Sequence, residues 1–277
     1  MLYCYEFIRR SGENRGKTTM LIAIDVGNTN MVFGIYLEGK LIGSFRLMTD
    51  ANRTSDEIGL TACDYFRRFD LNPQDVTGVI IASVVPQVMY TLTSAMLKYF
   101  DTPPLVIDED IDAGLVYESE ERLGGDRAVA CAAAMEKYGR PVIVLDFGTA
   151  TTIDAIGREG QYLGGCISAG LRISTDALFQ KAAMLPRVEL VKPATVLGTT
   201  TVGQIQAGAV LGNIGAMEYL IQLTKAEMGY GNQVCVVATG GLARMVADNT
   251  RFINIVDSQL ILDGLHILYE RYRKQFE

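Results

Sequence analysis

The stretch Leu21–Tyr36, LIAIDVGNTNMVFGIY, is an apolar strand that ends on a carboxylate, turns through Gly27-Asn28-Thr29-Asn30 and returns as a second apolar strand. Aliphatic and β-branched residues on both sides of a Gly/Asn turn read as a hairpin. Val142–Ile156, VIVLDFGTATTIDAI, repeats the plan with Asp146, Gly148 and a Thr-rich turn. In both copies an Asp-x-Gly with a nearby threonine closes a buried strand, where glycine lets backbone N–H groups approach a phosphate and threonine adds hydroxyl donors. Two such turns facing each other would clamp a polyphosphate, and the carboxylates would hold the cation that neutralises it. A single copy is as readily a tight turn closed by Asx hydrogen bonds. Two copies in matching places in the two halves favour a duplicated nucleotide-clamping fold.

The rest of the 277-residue chain bounds this expectation. An apolar fraction of 49% supports a full core in one large domain or two ordinary ones. A net charge of −7 argues against a nucleic-acid partner or an anionic membrane, since either calls for a basic patch. The five cysteines (Cys4, Cys63, Cys131, Cys166, Cys235) are scattered without C-x-x-C spacing, as for buried thiols in a reducing cytoplasm. No stretch has the uninterrupted apolar length of a membrane span, and Met1–Thr19 carries Arg9, Arg10, Glu13, Arg15 and Lys17 where a signal peptide needs its apolar segment. The expected location is cytoplasmic, with residues 1–19 an extension outside the fold. The only histidine, His266, lies in a late amphipathic segment and suits a core-edge role, which removes histidine triads and most zinc sites.

Periodicity orders the elements. Lys40–Thr49 follows the Glu38-Gly39 turn as a third antiparallel strand. Thr54–Phe69 opens on Thr54-x-x-Glu57, a capping-box spacing, and places Ile58, Cys63, Phe66 and Phe69 at helical intervals. Val79–Val85 reads as a strand buried on both faces and closed by Pro86, then Gln87–Phe100 as a helix, Leu105–Asp108 as a short strand and Asp126–Tyr138 as an alanine-rich helix. The second half replays the order, with strands near 142–147, 151–156 and 161–165, helical pattern over 168–183 and 202–228, strands at 233–238 and 252–256, and a last helix over 260–274. Each half is thus three antiparallel strands followed by alternating helices and strands. This is the order of the ribonuclease-H-like unit, and its duplication is similar to the actin, hexokinase and Hsp70 group. The expected division is an N-terminal lobe over 20–139 and a C-terminal lobe over 140–277.

Gly124-Gly125-Asp126-Arg127 precedes the alanine-rich helix. Asp126 is explained as a helix N-cap, or as a carboxylate that accepts a hydroxyl proton during phosphoryl transfer while Arg127 holds an anionic group. Gly240-Gly241 reads as a strand-to-helix turn, and Leu197–Gly208 as a Thr-rich cap before a helix. No Walker lysine motif is present, so a P-loop kinase is excluded at the level of motifs.

Taken together, DVGNTN at 25–30, SVVP at 83–86, GGDR at 124–127, DFGTATT at 146–152, GGCISAGL at 164–171 and the segment Thr201–Gly208 resemble type III pantothenate kinase, from about residue 20 to the end. That family phosphorylates the 4′-hydroxyl of pantothenate with ATP, the first step towards coenzyme A, as a homodimer using Mg²⁺ and a monovalent cation, K⁺ or NH₄⁺. The resemblance implies an ATP phosphate loop at Asp25, Val26, Gly27, Asn28, Thr29, Asn30, Met31 and Val32, with Asp25 near Mg²⁺. It implies Asp126 as general base, and Gly124, Gly125, Arg127, Tyr117 and Thr201 as pantothenate contacts. Asp146 would hold the monovalent cation and Thr149 would contact ATP. Three departures fall on the substrate wall: Glu120-Glu121 replace an Asn-Pro pair, Gly125 replaces an alanine, and Thr199-Thr200 replace Lys-Asn. The rivals are a kinase for another polyol or sugar and a nucleotide-regulated binding protein on the same fold. Asp126 favours an enzyme, because a binding protein needs no base beside a phosphate.

Overall fold

The computed structural model of the chain describes residues 19–108, 111–118 and 120–275. The expected extension at 1–19 lies, apart from Thr19, outside these residues. Contacts divide the chain into two compact units. The first comprises Met1–Ala113, Glu121–Ala133 and Ile261–Glu277; the second comprises Gly114–Glu120 and Ala134–Leu260.

In the first unit, β1 (Met20–Val26), β2 (Asn30–Leu37) and β3 (Lys40–Met48) form the antiparallel run, followed by helix α1 (Ser55–Arg68), β4 (Gly78–Ser83), α2 (Pro86–Phe100) and β5 (Pro104–Val106). The sheet order is β3-β2-β1-β4-β5, with β4 and β5 parallel to β1. The N-terminus of α1 is closed by the expected box: Thr54 Oγ1 accepts from Glu57 N at 3.2 Å, and Glu57 Oε2 accepts from Thr54 N at 2.7 Å. Alternation along β1 sends Ile22, Ile24 and Val26 to one face, where Phe33, Phe45, Ile58, Phe66, Leu92 and Phe100 complete a core against α1 and α2. Each buried phenylalanine there contributes about 1.5–3 kcal/mol relative to exposure. β4 is buried on both faces from Gly78 to Ala82, as its continuous apolar run requires.

In the second unit, β6 (Val142–Phe147), β7 (Ala150–Ile156) and β8 (Tyr162–Ala169) repeat the antiparallel run. They lead into α4 (Leu171–Lys181), α5 (Thr201–Gln206), α6 (Gly212–Met228), β9 (Cys235–Thr239), α7 (Ala243–Ala247) and β10 (Ile255–Val256). The sheet order β10-β9-β6-β7-β8 is the first sheet's order element for element. α3 (Gly125–Tyr138) runs from the first unit into the second, and α8 (Leu260–Gln275) closes the described chain.

Several elements depart from the expected pattern. The final helix, expected with the second lobe, belongs to the first unit: it covers the second face of the first sheet. Leu262 methyl groups lie 3.0–3.3 Å from where a Gly34 Cβ would stand, Tyr269 fills the space beside Gly78, and Gly264 lets α8 close onto Val129 of α3. Tyr36 stacks on His266 at 4.6 Å and donates from its hydroxyl to Asp263 at 2.7 Å. Periodicity shows that a helix has an apolar face, not which sheet it covers. β8 runs to Ala169 rather than 165, because its ladder continues to the Ala150–Ala169 pair, so α4 starts only after Gly170. The expected helix over 202–228 is broken by a π segment at Ala207–Leu211, with Gly208 inside the widened turn and Gly212 just after it. β4 stops at Ser83, whose Oγ accepts from Val85 N at 3.1 Å, and Pro86 starts α2 instead of merely ending a strand. β9 starts at Cys235 because Gly231–Gln233 close a 3₁₀ turn, and β10 shrinks to two residues.

Candidate functional site

In the first unit the carboxyl ends of the parallel strands converge on one edge, where α/β sheets place their ligands. Asp25, half-buried, sits one residue from the end of β1, opposite Val32 on β2 and Ala82 on β4. The turn after it is closed by Gly27 N donating to Asn30 O at 3.0 Å. It is also latched from β3's end: Thr49 Oγ1 donates to Gly27 O at 2.7 Å and Thr49 N to Thr29 O at 3.0 Å. Asn28, Thr29 and Asn30 are exposed, and Val26 and Met31 are buried beneath them. Thr49 was not singled out by the sequence; a threonine just after a third strand carries no local signal.

β5 leads to Ile107, whose N–H donates to Ile81 O at 2.8 Å, and a Cβ on Gly125 would stand 3.0 Å from Ile107 Cγ2. Close approach of that glycine brings the start of α3, with Asp126 and Arg127, to the sheet end that carries Asp25. Asp126 is the second residue of α3 rather than its N-cap, and its Oδ1 accepts from Arg127 N at 2.8 Å. The carboxylate thus accepts one of the unpaired first-turn N–H groups from inside the helix rather than from the N-cap position. The carboxylate lies in the first turn, on the positive end of the helix dipole.

In the second unit Asp146 sits one residue from the end of β6, opposite Thr152 and beside Thr239 of β9. Two glycines keep its carboxylate against bare backbone: a Cβ on Gly148 would stand 3.7 and 3.9 Å from its two oxygens, and a Cβ on Gly240 would fall on Oδ1. Thr149 sits in the following turn, where its carbonyl accepts from Gly170 N at 3.1 Å. Thr200, not Thr201, caps α5, by accepting from Gly203 N at 3.1 Å. Thr201 is exposed on the first turn and lines a cavity of about 610 Å³ with Leu171, Thr175, Leu178 and Ile205. Tyr117 is half-buried at the far end of the β7–β8 hairpin from Thr149: Val116 bridges to Gln161 at the start of β8, while Thr149 precedes the Ala150–Ala169 end. Asp146 and Thr149 are thus brought together, and Tyr117 is not placed beside them.

Among the described residues no three His, Cys, Asp or Glu side chains cluster as a metal site. Asp25 is nevertheless a fitting partner for a Mg²⁺ that brings phosphate and water ligands with it, since that ion needs only one or two protein carboxylates. The carboxylate of Asp146 is a hard oxygen donor flanked by glycines rather than side chains, which fits a cation that draws its other ligands from carbonyl oxygens. Among the described residues no helix is long and apolar enough to cross a membrane.

Two five-stranded mixed sheets of identical order, each with helices and an Asp-Gly turn closing its first strand, define a duplicated ribonuclease-H-like protein of the actin and hexokinase type. The family model of type III pantothenate kinase matches residues 21–223, and the chain belongs to that family, which makes it a phosphotransferase of the kinase class. A candidate Baf family transcriptional activator from Campylobacter jejuni has a similar structure, with a TM-score of 0.57 at 20% identity, covering 91% of this chain and 99% of that one. A candidate 2-dehydro-3-deoxygalactonokinase from Sinorhizobium meliloti gives 0.56 at 11% identity, covering 91% and 96%. At these identities the likeness shows the fold alone.

Proposed function

We propose that this protein transfers the γ-phosphoryl group of ATP to the 4′-hydroxyl of pantothenate. The observation that carries the reading is the pairing of two carboxylates, Asp25 and Asp126, at the same end of one sheet, the first on a glycine turn and the second on a helix start. The loop from Asp25 to Val32 receives the phosphates through its backbone N–H groups. Asp25 would hold Mg²⁺, which when bound offsets the phosphate charge. Thr149 contacts the nucleotide, and Asp146 would hold K⁺ or NH₄⁺.

The chain's own residues then do little covalent chemistry, as phosphoryl transfer requires. Gly124 and Gly125 admit the acceptor alcohol, Arg127 binds the pantothenate carboxylate, and Tyr117 and Thr201 are separate further contacts with pantothenate. Asp126 Oδ1 is engaged by the Arg127 N–H, and Oδ2 takes the proton of the attacking hydroxyl. The hydroxyl oxygen bonds to the γ-phosphorus as the bond to the β–γ bridging oxygen breaks, and ADP leaves. The active form is a cytoplasmic homodimer. Purified protein given ATP, Mg²⁺ and K⁺ should release ADP with pantothenate and not with a panel of sugars and sugar acids; turnover confined to a sugar would overturn the substrate.

A further inference from the structure

β7 carries a carboxylate, Asp154, that is only 2% exposed and lies between Val144 of β6 and Gly165 of β8. An acidic group is kept inside a sheet only where its oxygens have hydrogen-bond partners. One partner is the Tyr162 hydroxyl, which donates to Asp154 Oδ1 at 3.1 Å. Gly165 keeps this lane open: a Cβ there would fall on the Ile153 carbonyl and stand 3.0 Å from both the Asp154 oxygen and the Tyr162 hydroxyl. Tyr162 is held at its other end too, since its N–H donates to Val116 O at 2.9 Å while Val116 N donates to Gly160 O at 2.9 Å. Its ring faces that of Tyr117 with centroids 5.9 Å apart and planes tilted by 52°, within the range of attractive edge-to-face pairs. Around Val116 the chain makes one isolated bridge and no regular element, so local secondary structure does little to orient the Tyr117 side chain.

We propose that Asp154 and Tyr162 are positioning residues for Tyr117: the carboxylate anchors the Tyr162 hydroxyl, and the anchored ring sets the Tyr117 ring as a wall of the acceptor pocket. This rests on taking Tyr117 as part of the pantothenate pocket. A hydrogen bond that merely satisfied a buried carboxylate would stabilise the unit and leave acceptor binding independent of Tyr162.

The test is a double-mutant cycle on the full chain with Tyr162→Phe, which keeps the ring and the backbone bridge and removes only the anchor. Tyr162→Phe should raise the KM for pantothenate by on the order of three- to tenfold, the value of an aromatic pair, with kcat and the KM for ATP within about twofold. In a Tyr117→Ala background the same change should move the pantothenate KM by less than about twofold. Asp154→Asn, which retains an acceptor oxygen, should lie nearer the parent than Asp154→Ala. An equal effect of Tyr162→Phe in both backgrounds, or a parallel loss of kcat and both KM values, would overturn the proposal. A second readout needs no turnover: 3-fluorotyrosine placed at position 117 should show a shifted or broadened fluorine resonance in Tyr162→Phe. An unchanged resonance overturns the positioning role even in an active pantothenate kinase. A parent that turns over no pantothenate overturns the substrate assignment, and the fluorine signal still decides whether Tyr162 sets Tyr117.

Discussion

The adjacent glycines Gly240 and Gly241 should respond very differently to alanine. Gly240 has φ +93°, a backbone conformation side chains rarely adopt, and a Cβ there would fall on Asp146 Oδ1 and stand 2.7 Å from the backbone N and C of Phe147. Nothing lies within 4 Å of a Cβ on Gly241. The backbone strain costs about 1 kcal/mol. Forcing a methyl against the rigid backbone of β6 adds about 1–3 kcal/mol, because the obstacle is main chain rather than the end of a flexible side chain. The total of about 2–4 kcal/mol is a large part of a domain's 5–15 kcal/mol and should lower the melting temperature by roughly 5–15 °C. Gly241→Ala should stay within about 0.5 kcal/mol of the parent. Thermal unfolding followed by far-UV circular dichroism, with ATP turnover on the same samples, separates the two. Gly240→Ala should also lose turnover beyond its stability loss, since the methyl displaces the Asp146 carboxylate. Equal melting temperatures for the two variants, or a larger loss at Gly241, would refute the packing argument.

The single histidine makes a pH test specific. His266 is held below its ordinary value of 6.5 mainly by burial against Tyr36, with Arg273 lowering it further and Glu270 and Asp263 opposing. The unfolded chain therefore takes up the proton first as pH falls through 6.5, and stability present above that pH is lost below it, by up to about 1.4 kcal/mol per pH unit. His266→Phe, which keeps the stacking, should flatten the fall in melting temperature between about pH 7 and 5.5; an unchanged slope would contradict this. Burial alone would raise Asp257, but hydrogen bonds from Lys137 at 2.5 Å and Tyr138 at 2.8 Å outweigh it and leave it below 3.8, so its contribution holds above that pH and fades as pH falls. Asp257→Ala should cost about 2–4 kcal/mol in urea unfolding and Asp257→Asn about half of that; equal losses would mean the charge does nothing. Dimerisation should give light scattering twice the chain's 30.3 kDa at micromolar concentration. Tyr219 and Leu223, exposed on α6, are candidates for the covered face. A fully active monomer would remove the claim.

Local chemistry was legible in the sequence where one segment decides its own structure. The Asp-Gly turns, the Thr54–Glu57 box and the repeated strand order follow from neighbours along the chain, and each half's sheet forms from them. What stayed hidden depends on partners distant in sequence. The last helix is amphipathic wherever it packs; Gly34 on β2 and Gly78 on β4 make room for it on the first sheet, and its own Gly264 lets it close on α3. Gly240 reads as half of a loose turn until β9 pairs beside β6 and brings it against Asp146. For Asp126 the residue type suits a helix cap and a general base alike, and the sequence does not show that the helix starts at Gly125, two residues before a cap at 126 would need. Asp154 sits inside an apolar strand pattern whose periodicity offers no hint that Tyr162 will reach it.

The measurement that bears most directly on the central claim is phosphorus NMR of ATP with pantothenate, Mg²⁺ and K⁺, run on the parent and on Asp126→Asn, with nucleotide affinity measured on the same preparations. Asparagine keeps the size of the side chain and an oxygen for the Arg127 N–H, and it cannot take the hydroxyl proton. The parent should convert ATP to ADP with a new phosphomonoester signal on pantothenate. The variant should form that signal 10²- to 10⁴-fold more slowly, as an order of magnitude, while binding ATP as the parent does. A parent that forms no pantothenate phosphomonoester, or an Asp126→Asn enzyme within a few-fold of it, would contradict the account.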